Sequence, residues 1–140
     1  MKHLFLIVFT TILLVSCEKS NEINSSVLVG KWQLDKYEME TIYADGTTNK
    51  STAQVTEKTY WEFKKDGSVR CTDKKGSITE YTYSFDEGNM ILTIGVDKHN
   101  VKELTKNSLI IVSTGHFIDG SVKPAGVGTT NHYNYWIKTK

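Results

Sequence analysis

The chain has no excess of charge of either sign: 17 lysines and arginines face 16 aspartates and glutamates. The basic residues are scattered singly among acids, as in Lys64, Lys65, Asp66 and in Asp73, Lys74, Lys75. Nucleic acid and anionic surfaces are recruited by a basic excess on one face, so no nucleic-acid partner is expected. Phosphate-cradling glycine motifs are also missing, because Gly126 and Gly128 lack the strand, helix and lysine context that gives such glycines meaning. No stretch carries a helical period with caps, and the single proline, Pro124, falls in a region without periodicity. A nucleophile at a recognisable elbow is absent, and no acid, base and nucleophile set can be assembled, which argues against an enzyme. The longest apolar run, Leu4 to Val15, is interrupted by Thr10 and Thr11 and reaches little more than half of the ~20 residues that a spanning helix needs.

That run has another reading. Met1, Lys2 and His3 precede it and Ser16 follows it, which is the layout of a secretory signal: a basic start, an apolar middle, a small residue before the cut. Leu14, Val15, Ser16 and Cys17 resemble the lipobox of bacterial lipoproteins. The resemblance implies cleavage before Cys17 and attachment of lipid to its sulfur; the alternative is an ordinary signal with a chance cysteine. One acyl chain anchors marginally and two or more hold stably, so a fully acylated Cys17 would stay on the membrane. Glu18 to Ser26 (EKSNEINSS) then reads as a polar tether, and residues 17–27 as lipidated cysteine and leash ahead of a domain over 28–140. Loss of residues 1–16 would remove Lys2 and leave 16 basic and 16 acidic residues in balance. Cys71 would be the remaining free cysteine, without a partner for an intramolecular disulfide. It stands in step with Val69 in "SVRC", as a buried thiol would, and a reactive thiol is the other reading.

The rest of the chain is organised with period two. Trp61 and Phe63 alternate with Tyr60, Glu62 and Lys64; Tyr81, Tyr83 and Phe85 alternate with Thr82 and Ser84; Met90, Leu92 and Ile94 alternate with Ile91 and Thr93. Such alternation marks strands with one buried face. "KKDGS" and "DEGN" separate the runs and predict hairpin turns, with the positive φ supplied by Gly or Asn. Eight strands are expected, at 30–37, 54–64, 68–73, 78–85, 89–96, 99–105, 108–114 and 132–138. Short sequential strands favour an antiparallel meander, and closure into a barrel removes the exposed edges that invite aggregation. Two segments break the rhythm. "ETIYADGTTNKSTA" is either a long hairpin or an excursion across a barrel mouth. Gly115 to Asn131 holds four of the ten glycines and reads as a long loop, either a lid or a plain flexible connection.

"LVGKW" (Leu28 to Trp32), the hairpins after it, "ELTKNSLII" (Glu103 to Ile111) and "YNYWIKTK" (Tyr133 to Lys140) together resemble the lipocalin-like lipoproteins of Gram-negative bacteria. The resemblance covers residues 28–140 and implies an all-β, antiparallel up-and-down eight-stranded barrel. Gly30 and Trp32 match the Gly-x-Trp that opens the first lipocalin strand, whose tryptophan plugs the closed end. A basic residue of the last strand packs on that tryptophan in the family, and Lys138 is the candidate here.

Candidate site residues follow from the alternation. Trp61, Phe63, Tyr81, Tyr83 and Phe85 are expected to face the barrel interior, where they either fill it or wall a cavity for one small, largely apolar ligand. Asp97 and His99 share a strand face as an acid and base pair or a solvated strand end. His116 and His132 bracket the glycine-rich segment, which leaves open that they approach each other, although without a ligand spacing they make a poor metal site. Asn24 and Asn49 stand in Asn-x-Ser/Thr sequons to which no role is given. No cofactor is expected. Two functions are therefore open: a lipid-anchored monomer of the outer membrane, on its periplasmic or outer face, that binds a small hydrophobic ligand; or an envelope module with a filled barrel that docks to another protein.

Overall fold

The computed structural model describes residues 25–120 and 125–140. The predicted signal, Cys17, Asn24, most of the tether and Pro124 lie outside the described residues. A 3-10 turn, Ser25–Val27, leads into β1 (Gly30–Ile42), β2 (Thr48–Gln54), β3 (Tyr60–Phe63), β4 (Ser68–Thr72) and β5 (Ile78–Asp86). β6 (Ile91–Ile94), β7 (Asp97–Leu104), β8 (Ser108–Asp119) and β9 (Gly126–Lys138) follow. All pairings are antiparallel, and the sheet order β2-β1-β3-β4-β5-β6-β7-β8-β9 is closed by a further β1–β9 pairing. The closed ring runs through β1 and β3 to β9, an eight-stranded up-and-down barrel as expected.

β2 is the ninth strand and lies outside that ring. The first residues of β1, Gly30 to Gln33, pair with β3, whereas Lys36 to Ile42 pair with β2 on the same edge. The single strand expected over 54–64 is thus broken, because Val55 to Thr59 leave the regular ladder where β1 bulges between Leu34 and Lys36. A bulge re-aims the side chains beyond it. Trp32 and Leu34 face inward before it, and Tyr37 and Met39 take the same face after it, opposite Asn134 and His132. "ETIYADGTTNKSTA" is accordingly a long hairpin, β1–β2.

Gly115 to Asn131 is not a long loop. β8 and β9 pair from Ser108↔Ile137 as far as Asp119↔Gly126, so most of that segment is a two-stranded arm. Gly128 has a packing role: the Phe117 ring lies over it, where a Cβ would overlap the Phe117 Cζ. Period-two patterning was weak there because glycines, threonines and Asn131 carry no polar-apolar contrast. Tyr43 meets Phe117 edge-on at 6.2 Å, and the Ala44 N–H donates to Asp119 (2.8 Å), which fastens the β1–β2 connection to the arm. In "DEGN" the positive φ falls on Met90 (53°) and not on Gly88 or Asn89; the Asp86 carboxylate accepts from the Asn89 backbone and side chain and shapes the turn.

The core sits toward one end of the ring. Leu28, Trp32, Phe63, Val69, Leu92 and Leu109 are fully buried, with Leu34, Ile94, Val101, Leu104, Ile111 and Trp136 around them. Val27 packs against this cluster, so the 3-10 turn is joined to the domain expected over 28–140. Trp32 Nε1 donates to Leu28 O (2.7 Å), and Lys138 Nζ lies 5.1 Å from the Trp32 ring centroid while donating to Val27 O (2.7 Å). Burial holds the Lys138 amine below its ordinary pKa. Gly30 has φ +130°, and a Cβ there would stand 2.6 Å from Lys138 Cε. Only glycine combines that backbone with that close approach. Gly30, Trp32 and Lys138 therefore form one plug.

Candidate functional site

The end of the barrel away from this plug is built differently. Cross-strand partners in an antiparallel pair share a face, so Trp61, Cys71 and Thr79 form one inward rung across β3, β4 and β5. Phe63, Val69 and Tyr81 form the next. A cavity of about 240 Å³ opens beside them, lined by Thr59, Trp61, Cys71, Thr72, Asp73, Ser77, Thr79 and Tyr81. A second hollow of about 220 Å³ shares Thr59 with it and Tyr37 with a third, of about 240 Å³, that is lined chiefly by Tyr37, Met39, Ser51, Ala53, His132 and Asn134.

Two of the five aromatic residues expected to line a ligand cavity are at the mouth: Trp61 and Tyr81, the latter 45% exposed. Phe63 and Phe85 are packing residues, and Tyr83 packs against the core while bordering a hollow of about 280 Å³ with Ser26, Val29 and Lys65. Phe63 is 1% exposed and meets Tyr83 edge-on at 4.9 Å; Tyr83 donates its hydroxyl to Lys64 O (2.9 Å); and Phe85 packs against the core cluster opposite Leu92. They share the inward face of the meander but sit at a different depth, which a period of two does not encode.

Residues that the alternation did not single out complete the site. Trp136 stacks on Trp61, centroid to centroid 4.1 Å and 23° from parallel, and His99 lies 5.7 Å from Trp61 on a tilted plane. Trp136 is 4% exposed, and its Nε1 is a buried donor with no hydrogen-bond partner. The signal for Trp136 was present in "YNYWIK", where it is in step with Asn134 and alternates with Tyr135 and Ile137. Burial pushes the His99 imidazole below its ordinary pKa, opposed by the charge of Asp97, so it is neutral at neutral pH. Asp97 and His99 do share a face, but His99 is turned to Trp61 while Asp97 is exposed, which is not an acid and base pair poised on one substrate. Burial also raises the Cys71 thiol pKa, which keeps it protonated and weakly nucleophilic.

His116 and His132 do not converge. In the β8–β9 register His116 faces Thr129 and His132 faces Ser113, an odd offset that sends the two rings to opposite faces of the arm. Among the described residues no three His, Cys, Asp or Glu side chains gather as metal ligands. The outer face at the arm's base holds a polar network instead: Tyr133 and Tyr135 donate to Glu40 and Glu38, and Lys50 Nζ lies 2.9 Å from Glu40. The Glu38 carboxylate drives Tyr135 up to about 12. Every member of this network is used within it, which makes it structural.

No curated protein and no solved structure matches the chain significantly. A family model described as a lipocalin-like domain matches residues 12–135. That span covers most of the chain, Gly30 and Trp32 included, and all but the last residues of the ring of strands described above: the chain belongs to the family of lipocalin-like domains.

Proposed function

We propose that this protein is a membrane-tethered carrier that binds a small, largely apolar molecule at the open end of its barrel. One observation carries the reading: beyond the buried core, inward-facing Trp61, Cys71 and Tyr81 wall a cavity of about 240 Å³ instead of closing on one another. A module needing only a stable core has no use for a half-filled barrel with two exposed aromatic edges at its mouth. A cavity near the lower limit of ligand pockets suits a molecule of one or two rings or a short chain. We read it as a binding protein without catalysis. Native mass spectrometry of protein purified from its own cells tests this: a co-purifying small molecule supports it, and the bare mass together with no uptake of apolar probes would sink it.

The tether belongs to the same proposal and rests on the sequence around Cys17. A lipidated Cys17 places the domain on the outer membrane, at the periplasmic or outer face. Cys17→Ala should move the protein from the membrane to the soluble fraction, and retention would refute lipidation. The second reading, docking to another envelope protein, is favoured by Ile118 (81% exposed) and Val127 (68% exposed), which oppose each other on the outer face of the arm near its tip.

A further inference from the structure

The arm leaves a strand edge open. β7 pairs with β8 only as far as Asn100↔Val112, and among the described residues no strand pairs with the outer edge of Ser113–Asp119. The backbone fixes which residues face that edge. Lys138 N donates to Asn107 O (3.1 Å) on the β9 side, Thr105 N donates to Ser108 O (2.8 Å) on the β7 side, and the β8–β9 register runs unbroken from Ser108 to Asp119. Odd-numbered residues of β8 therefore bond β9, and Thr114, His116 and Ile118 turn their N–H and C=O groups to the free edge. The same alternation puts the Ile118 side chain on the outer face, beside its register partner Val127, and both are strongly exposed.

The fold's other open edge is protected. β2, which pairs only with β1 among the described residues, is polar throughout and carries Lys50, and charged side chains on an edge deter pairing. "STGHFID" on β8 has no lysine, arginine, glutamate or proline, and its one acid, Asp119, is buried and accepts from the Ala44 N–H. We infer that this edge pairs with the same edge of a second copy of the chain, antiparallel about a twofold axis at Ile118. A twofold contact must be self-complementary, and two features here are. Ile118 presents both backbone groups to the edge, so it can exchange hydrogen bonds with its counterpart. Its side chain and that of Val127 then meet those of the other copy in a row of four apolar residues. Thr114, Asn131, His116 and Thr129, the neighbouring outer-face positions on β8 and β9, include no carboxylate, lysine or arginine to repel a like surface. The pairing is independent of the ligand-binding reading. It gives the Ile118 and Val127 patch to a second copy instead of to another envelope protein, and it replaces the monomer expected from the sequence. One strand edge and four side chains fall below the ~1,600 Å² of a standard interface, so the dimer is weak and concentration-dependent.

Sedimentation of the purified full-length protein in density-matched detergent, from about 1 µM to about 1 mM, tests this. The mass should move from one chain to two. Ile118→Lys should hold it at one chain throughout, while Thr52→Lys, on the β2 edge, should dimerise as the wild type does. Should Ile118→Lys fail to fold, amide exchange of the wild type answers the same question: raising the concentration should slow Thr114, His116 and Ile118 and leave β2 unchanged. A single chain over the whole range would overturn the pairing, as would a dimer that survives in folded Ile118→Lys or one that slows β2 instead. Slowing of the three β8 amides only on adding phosphatidylethanolamine and phosphatidylglycerol vesicles would also overturn it and give the patch to the membrane surface.

Discussion

The two ends of the barrel each hold a tryptophan on an inward rung, and they use it in opposite ways. Trp32 at the plugged end is fully buried, hydrogen-bonded and covered by Lys138. Trp61 is half-buried, borders a cavity and covers a second indole whose donor is unused. The two side chains are neighbours on one rung, since Trp32 and Trp61 are register partners across β1 and β3. The difference therefore comes from what surrounds each ring: the plug is complete from within the chain, and the mouth is not.

Substitutions can break this comparison. Trp32→Ala removes a fully buried ring and orphans Leu28 O, and it should cost about 3–5 kcal/mol in urea or guanidinium unfolding. Trp61→Ala should cost about 1–2 kcal/mol, because half of the ring is already in contact with solvent or cavity. Equal losses would mean that the mouth is as structural as the plug. A smaller effect is expected on the arm: Gly128→Ala drives a methyl into the Phe117 ring, worth about 1–3 kcal/mol. It should appear as faster amide exchange over β8 beyond Val112, where β9 is the partner strand, with exchange in the plug unchanged. Adding Phe117→Ala should recover most of the loss, and failure to do so would discount the ring-on-glycine contact.

The smallest effect is a pH dependence at the mouth. His99 has a lowered pKa in the folded state, so the unfolded chain binds more protons as the pH falls through the ordinary imidazole value of 6.5. Stability contributed by neutral His99 is present above that value and is lost on acidification toward the folded pKa. His99→Phe should flatten the decline in Tm between neutral and mildly acidic pH, and an unchanged slope would show that His99 is not the group responsible.

Much of the architecture was legible in the chain. Alternation in "YWEF" and "YTYSFD" corresponds to β3 and β5, and the Asp-Gly step at Asp66 and Gly67 joins β3 to β4. Two features were not legible. β2, "TNKSTAQ", is exposed along its whole length and so has no buried face to print a pattern. The β8–β9 arm closes on glycine and threonine, which lack the contrast that periodicity needs, and so it read as a loop. The histidine pair fell for a related reason, because being near the same segment says nothing about register, and an odd offset sends two side chains to opposite faces.

Residue order alone set the β class, the meander and the aromatic residues that face inward, while the plug of Gly30, Trp32 and Lys138 was implied by the family resemblance. It did so because those properties depend on local backbone alternation and on residues with few other uses. Which inward aromatics fill the barrel and which wall a cavity was decided by the tertiary structure alone. The bulge after Leu34 and the stagger of the strands set the depth of each rung, so that Phe63, Tyr83 and Phe85 close the core while Trp61 and Tyr81 remain at the mouth.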